Sequence, residues 1–175
     1  MGKTTLYFLG DSLIDFANWP ARLPEFQVFD SGIPGERAEE LLHRVQRGNP
    51  SIDPDVIILM IGTNNIAMLN SDFIWAIEHT ITILKTHYPK ASLILTSLLP
   101  YRIPGLAETI AKCNHGLKSL ALAQEITYHD LHKIFSSTSS EPFEFDGVHL
   151  SEHGYQLWTT ALVKLLSDLL ENEMI

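Results

Sequence analysis

Leu6-Tyr7-Phe8-Leu9-Gly10-Asp11-Ser12-Leu13 is a short apolar run that stops at a glycine and then presents an acid and a hydroxyl. A run of this length bounded by glycine reads as a buried strand, with Gly10 letting the chain turn where the strand ends. Ser12 then stands at a strand's carboxyl end. In open parallel sheets that edge is where ligands bind, because loops and helix N-termini direct partial positive charge into a shared crevice. A serine there is a candidate nucleophile, and it needs a base within hydrogen-bond reach to take its proton.

Outward from this stretch, Ile14 to Leu23 reads as one loose helical turn carrying Asp15, Phe16 and Trp19 before Pro20 and Pro24 interrupt it, with both aromatics expected at the cleft. Phe26 to Asp30 is a second short strand, followed by the turn Ser31-Gly32-Ile33-Pro34-Gly35. Ala38, Leu41, Leu42 and Val45 recur at helical spacing. Asp55 to Gly62 is almost continuously apolar, as a central strand covered on both faces should be, and it ends in Gly62-Thr63-Asn64-Asn65. Helical periodicity returns from Phe73 to Leu84, a strand from Ser92 to Leu99, a helix from Leu106 to Leu120, a short strand at Ile126-Thr127-Tyr128, and a helix from Trp158 to Leu169. Strand and helix alternate throughout, which predicts an α/β fold with a parallel sheet between helical layers. Ser136 to Ser140 reads as a mobile loop leading into Asp146-Gly147-Val148-His149.

The chain has 175 residues, enough for one domain and short for two, so residues 1–175 are expected to form a single domain. Its 12 Lys and Arg stand against 21 Asp and Glu, a net charge of -9 that disfavours nucleic acid and gives no attraction to anionic membrane. Cys113 is the only cysteine, so the fold stands on its core and a reducing, cytoplasmic setting fits. The apolar stretch near Lys3 is too short for a signal peptide, and no run reaches the ~18 apolar residues of a membrane span. Gly2-Lys3-Thr4 lacks the upstream glycine and strand of a phosphate-binding loop.

The base for Ser12 is sought near the last helix. His149 lies just before it, in a loop closed by the N-cap candidate Ser151, and Asp146 stands three residues earlier. One tight turn could bring that carboxylate to one ring nitrogen, fixing the tautomer and leaving the other nitrogen free to deprotonate Ser12. Acyl transfer also needs donors aimed at the oxyanion. Gly32 follows the second strand and Asn64 the third, so both are expected on the sheet edge that carries Ser12. Each has an ordinary reading as turn or cap, and their joint occurrence in this order carries the assignment. His149 and His153 are four apart, but no third ligand accompanies them, so no metal is expected. His129 to His132 reads as a strand-end loop, Met60 as core, and Arg37 and Arg102 as solvated surface with substrate contact the alternative.

With those residues in place, the chain resembles the SGNH hydrolases, also called the GDSL esterase and lipase family. Gly10-Asp11-Ser12-Leu13, Ser31-Gly32-Ile33-Pro34-Gly35, Gly62-Thr63-Asn64-Asn65 and Asp146-Gly147-Val148-His149-Leu150 match its four blocks in order. Leu98-Leu99-Pro100, Asn114 and Gly154-Tyr155 are similar to the platelet-activating-factor acetylhydrolase catalytic-subunit branch. The resemblance implies a flavodoxin-like three-layer sandwich with a five-stranded parallel sheet. It implies a triad of Ser12, Asp146 and His149, and an oxyanion hole from the Ser12 and Gly32 backbone N–H groups and the Asn64 side chain. Two positions depart from the commoner pattern: Asn65 where many members have Asp, and Asp30 where Asn is usual.

The expectation is therefore a cofactor-independent serine esterase acting on small short-chain acyl esters through an open cleft, with Asp11, Phe16 and Trp19 as candidate substrate contacts. A carbohydrate O-acetylesterase and a lysophospholipase or thioesterase are alternatives of the same chemistry. A non-enzymatic binding module is the rival of another class. No nucleic-acid partner or membrane insertion is expected, and a homodimer is compatible with the sequence.

Overall fold

The computed structural model describes residues 2–172. Strands β1 (Thr5–Gly10), β2 (Gln27–Gly32), β3 (Val56–Met60), β4 (Ser92–Thr96) and β5 (Thr127–His129) form one parallel sheet in the order β2-β1-β3-β4-β5. Between them run α1 (Ser12–Asp15), α2 (Trp19–Arg22), α3 (Ala38–Arg47), α4 (Thr63–Ala67), α5 (Ile74–His87), α6 (Ala107–Ala123), α7 (Leu131–Ser137) and α8 (Glu152–Asn172). The expected α/β architecture and five-stranded parallel sheet are present. β1 and β3, central in the sheet, are almost wholly buried, which explains their unbroken apolar sequence.

Several boundaries differ from those read in the sequence. The 14–23 segment is two short helices rather than one turn, because Asn18 adopts a left-handed conformation (φ 50°) between them. Helix α1 starts at Ser12 itself, capped by Asp11. Residues after Gly62 and after Asp130 form helices α4 and α7 where turns were expected; Asp130 Oδ1 accepts the Lys133 N–H at 3.0 Å and starts α7. β4 stops at Thr96, and the chain beyond it is held by Asn114, whose amide accepts from Leu98 N (2.8 Å) and donates to Leu98 O (2.9 Å).

Trp19 is not at the cleft. It is fully buried, stacked on Phe8 with ring centroids 4.5 Å apart and edge-on to Trp158 at 4.9 Å. A helix starting at Ser12 and a second one starting at Trp19 turn this indole inward, where its apolar area outweighs any surface role. Trp19→Ala should cost about 3–5 kcal/mol of stability in urea unfolding. A loss below about 1 kcal/mol would show that the site collapses around the missing ring.

Candidate active site

Ser12 follows β1, the turn Ile33 to Glu36 follows β2, and Asn64 follows β3, so adjacent strands deliver all three to the carboxyl edge of the sheet. Ser12 is the first residue of α1, whose first-turn N–H groups have no partner within the helix. Asp11 Oδ1 takes the Leu13 N–H at 3.0 Å, and the helix itself makes no use of the N–H of Ser12.

His149 reaches this edge from the loop before α8. Its Nε2 lies 3.1 Å from Ser12 Oγ, and its Nδ1 lies 2.6 Å from Asp146 Oδ2. The other Asp146 oxygen accepts the N–H groups of Val148 and His149, both at 2.9 Å, so one carboxylate folds the whole Asp146-Gly147-Val148-His149 turn. The His149 hydrogen bond and these backbone donors hold the Asp146 carboxyl down at about 2. It is therefore ionised at any pH where an esterase would work. Arg102 supports the turn rather than a ligand: its N–H donates to Gly147 O at 2.8 Å and its side chain pairs with Glu141.

The turn after β2 decides which amides are free. Ile33 N–H donates to Gly10 O on β1 at 2.9 Å, and successive amides along a strand point to opposite sides. The Gly32 N–H thus faces the outer edge of β2, away from Ser12, where Asp30 Oδ1 accepts it at 2.9 Å. This is also what Asp30 does in place of the usual Asn. Gly32 is needed for a different reason: a Cβ there would run into the backbone N of Asp15 and come within 2.8 Å of its Cα. Glu36 N–H closes the turn on Ile33 O at 3.1 Å with Pro34 second and Gly35 third at φ 82°, the pattern of a type II turn. That closure leaves the Gly35 N–H outside the turn's own hydrogen bond. Asn64 Nδ2 donates to the neighbouring Glu36 O at 2.9 Å, which leaves its second N–H for another acceptor. The Pro-Gly pair was the sequence signal for this turn.

Glu36 and Arg44 hold the turn in place, and neither stands out in the sequence. The Glu36 side chain is only 5% exposed and is gripped at both oxygens by Arg44, at 2.8 Å each, while the same guanidinium reaches Ser31 Oγ (2.6 Å) and Ser31 O (3.1 Å). Asn65, fully buried, accepts the Ala38 N–H at 2.9 Å and donates to Glu39 at 2.8 Å; it caps α3 from the neighbouring loop. Arg44→Met leaves a buried carboxylate unpaired and should cost about 3 kcal/mol in stability. The double variant Glu36→Gln, Arg44→Met should recover part of it in denaturant titrations, and an additive double cycle would refute the coupling.

The remaining candidates divide. Phe16 is 54% exposed and its ring lies against His149, with centroids 5.4 Å apart. Asp11 is fully buried and cannot touch a substrate; burial raises its carboxyl to about 6, against the lowering effect of the Leu13 N–H. Met60 is buried in the core, and Arg37 pairs with Glu40. His153 faces Ser140 at 2.6 Å rather than His149, and among the described residues no group of three or more His, Cys, Asp or Glu could hold a metal. Among those residues, too, no helix is long and apolar enough to cross a membrane.

Comparison with known proteins bears on the family and the fold. The sequence profile of the GDSL-like Lipase/Acylhydrolase family matches residues 8–157. The platelet-activating factor acetylhydrolase IB subunit alpha2 of Gallus gallus is 29% identical, over 94% of this chain and 76% of its own. The subunit beta homolog of Drosophila melanogaster is 27% identical, over 95% and 79%. Among solved structures, a GDSL-like lipase from Bacteroides thetaiotaomicron superposes with a TM-score of 0.76 at 20% identity, covering 95% of this chain and 89% of its own. A catalytic mutant of Axe2, an acetylxylan esterase from Geobacillus stearothermophilus, does so at 0.77 and 18%, covering 94% of each chain. With its sequence matched from β1 into α8, the chain belongs to the GDSL-like lipase/acylhydrolase family and is an ester hydrolase.

Proposed function

We propose that the protein hydrolyses small, short-chain acyl esters by a two-step serine mechanism. The observation that carries it is the continuous chain Ser12 Oγ to His149 Nε2 (3.1 Å) and His149 Nδ1 to Asp146 Oδ2 (2.6 Å). Asp146 keeps the ring proton on Nδ1, so Nε2 accepts the Ser12 proton as Oγ attacks the acyl carbon. His149 then returns that proton to the alkoxy oxygen as its bond to carbon breaks. Water releases the acyl group from Ser12 by the same route, with no cofactor.

The developing oxyanion is met by the Ser12 N–H at the start of α1 and by the free N–H of Asn64 Nδ2. The third donor is the Gly35 N–H, in place of that of Gly32, which Asp30 occupies. These donors come from backbone and a tethered amide, so they need no rearrangement when charge appears.

A fluorophosphonate probe tests this reading, because it bonds only to a serine activated by a neighbouring base. It should label Ser12 in the wild type and leave Ser12→Ala unlabelled. An unlabelled wild-type protein overturns the mechanism. A series of p-nitrophenyl esters from acetate to palmitate tests the acyl preference, with acetate or butyrate expected fastest.

A further inference from the structure

We propose that Phe16 is the specificity-determining residue for the leaving alcohol and selects one that carries a ring and no negative charge; this rests on the serine mechanism above. Phe16 lies one helical turn beyond Ser12, its N–H donating to Ser12 O at 3.0 Å, and its ring sits 5.4 Å from the His149 ring at a tilt of 34°. It is nonetheless 54% exposed. An aromatic ring left half in water beside the reacting groups contributes little to the core, and its free face is available to a ligand.

The direction of proton transfer says which part of the ester meets that face. His149 Nε2 gives its proton to the alkoxy oxygen while the acyl group stays on Ser12 Oγ and the carbonyl oxygen turns toward Asn64 and the turn after β2. The alcohol therefore departs on the His149 side, where Phe16 stands. A second ring, Phe145, is fully exposed one residue before Asp146. A flat apolar face, the CH face of a sugar ring or the plane of an aryl group, stacks on such a surface. Charge narrows the choice. Asp15 is exposed beside Phe16, Asp30 lies close enough to Asp15 to feel its charge, and the chain carries a net charge of -9, so a phosphate-bearing alcohol is repelled.

The test holds the acyl group constant and varies the alcohol. Benzyl acetate and an acetylated methyl xyloside carry rings, 2-methoxyethyl acetate is open-chain, and 4-(acetoxymethyl)phenyl phosphate carries a ring with negative charge. In the wild type the ring esters should have the higher kcat/KM. Phe16→Ala should lower the ratio of ring to open-chain kcat/KM about tenfold, and Phe16→Trp should restore it. The decay of the acetyl-enzyme, measured after a p-nitrophenyl acetate burst, should change far less, since the alcohol has already left. Loss on the xyloside alone identifies a sugar as the source, and loss on benzyl acetate alone an aryl group. Equal losses on ring and open-chain esters, an unchanged ratio, or a wild-type preference for the phosphate-bearing ester overturns the assignment. Retained fluorophosphonate labelling of Ser12 in Phe16→Ala then shows that this inference alone has failed and the hydrolase mechanism stands.

Discussion

Ser12→Ala should lower kcat by about 10⁴-fold or more on p-nitrophenyl acetate while leaving the fold intact. The hydroxyl is the group placed 3.1 Å from His149 Nε2, and under the proposed mechanism both the covalent intermediate and the route for the proton go with it. What would remain under that mechanism is the proposed oxyanion donors acting on water, which by themselves preserve only a small part of the acceleration. The fold should tolerate the change because residue 12 is the first of α1 and alanine is a good helix former; the Asp11 cap on Leu13 is untouched. KM should move little, and the unfolding midpoint should stay near that of the wild type. Activity within about tenfold of the wild type would place the chemistry on another residue.

Asp146→Asn should cost about 10³-fold or more in kcat, for a reason of tautomer rather than shape. The carboxylate does two things: one oxygen accepts the Val148 and His149 N–H groups at 2.9 Å, and the other accepts from His149 Nδ1 at 2.6 Å. An asparagine keeps the first with its carbonyl oxygen, so the turn survives. Its NH2 then faces Nδ1 and makes that nitrogen an acceptor, which moves the ring proton to Nε2 and points a donor at Ser12. His149 can no longer act as base in that state. Because the native carboxyl is held at about 2, the wild-type profile should show no acid limb from Asp146 above pH ~3. Steady-state kinetics across pH check both points. A variant of near-normal kcat would mean that His149 is oriented by something other than Asp146.

Local sequence was sufficient for the alternation of elements and for the strand ends, since the apolar run of β3, the helical spacing of α3 and the Gly and Pro stops are short-range signals. It was also sufficient to bring Ser12 and Asn64 to one edge, because residues that follow strands of a parallel sheet emerge on the same side, whereas Asp146 and His149 arrive there from the loop before α8. It failed at Trp19, whose position next to Pro20 resembled an exposed turn until α8 supplied Trp158 as its neighbour. It was silent on the role of Asn65, which caps a helix 27 residues away in sequence.

What the sequence by itself determined, then, is the parallel α/β sandwich and the residue types gathered at its carboxyl edge. Only the tertiary structure decided which backbone amides there have an acceptor and which do not. Gly32 and Gly35 differ little in one dimension, but pairing of β2 with β1 turns the N–H of Gly32 outward onto Asp30, while the turn held by Arg44 and Glu36 leaves that of Gly35 unused. Hydrogen-bond donors are spent pairwise between segments, and that pairing exists only once the strands have found their order.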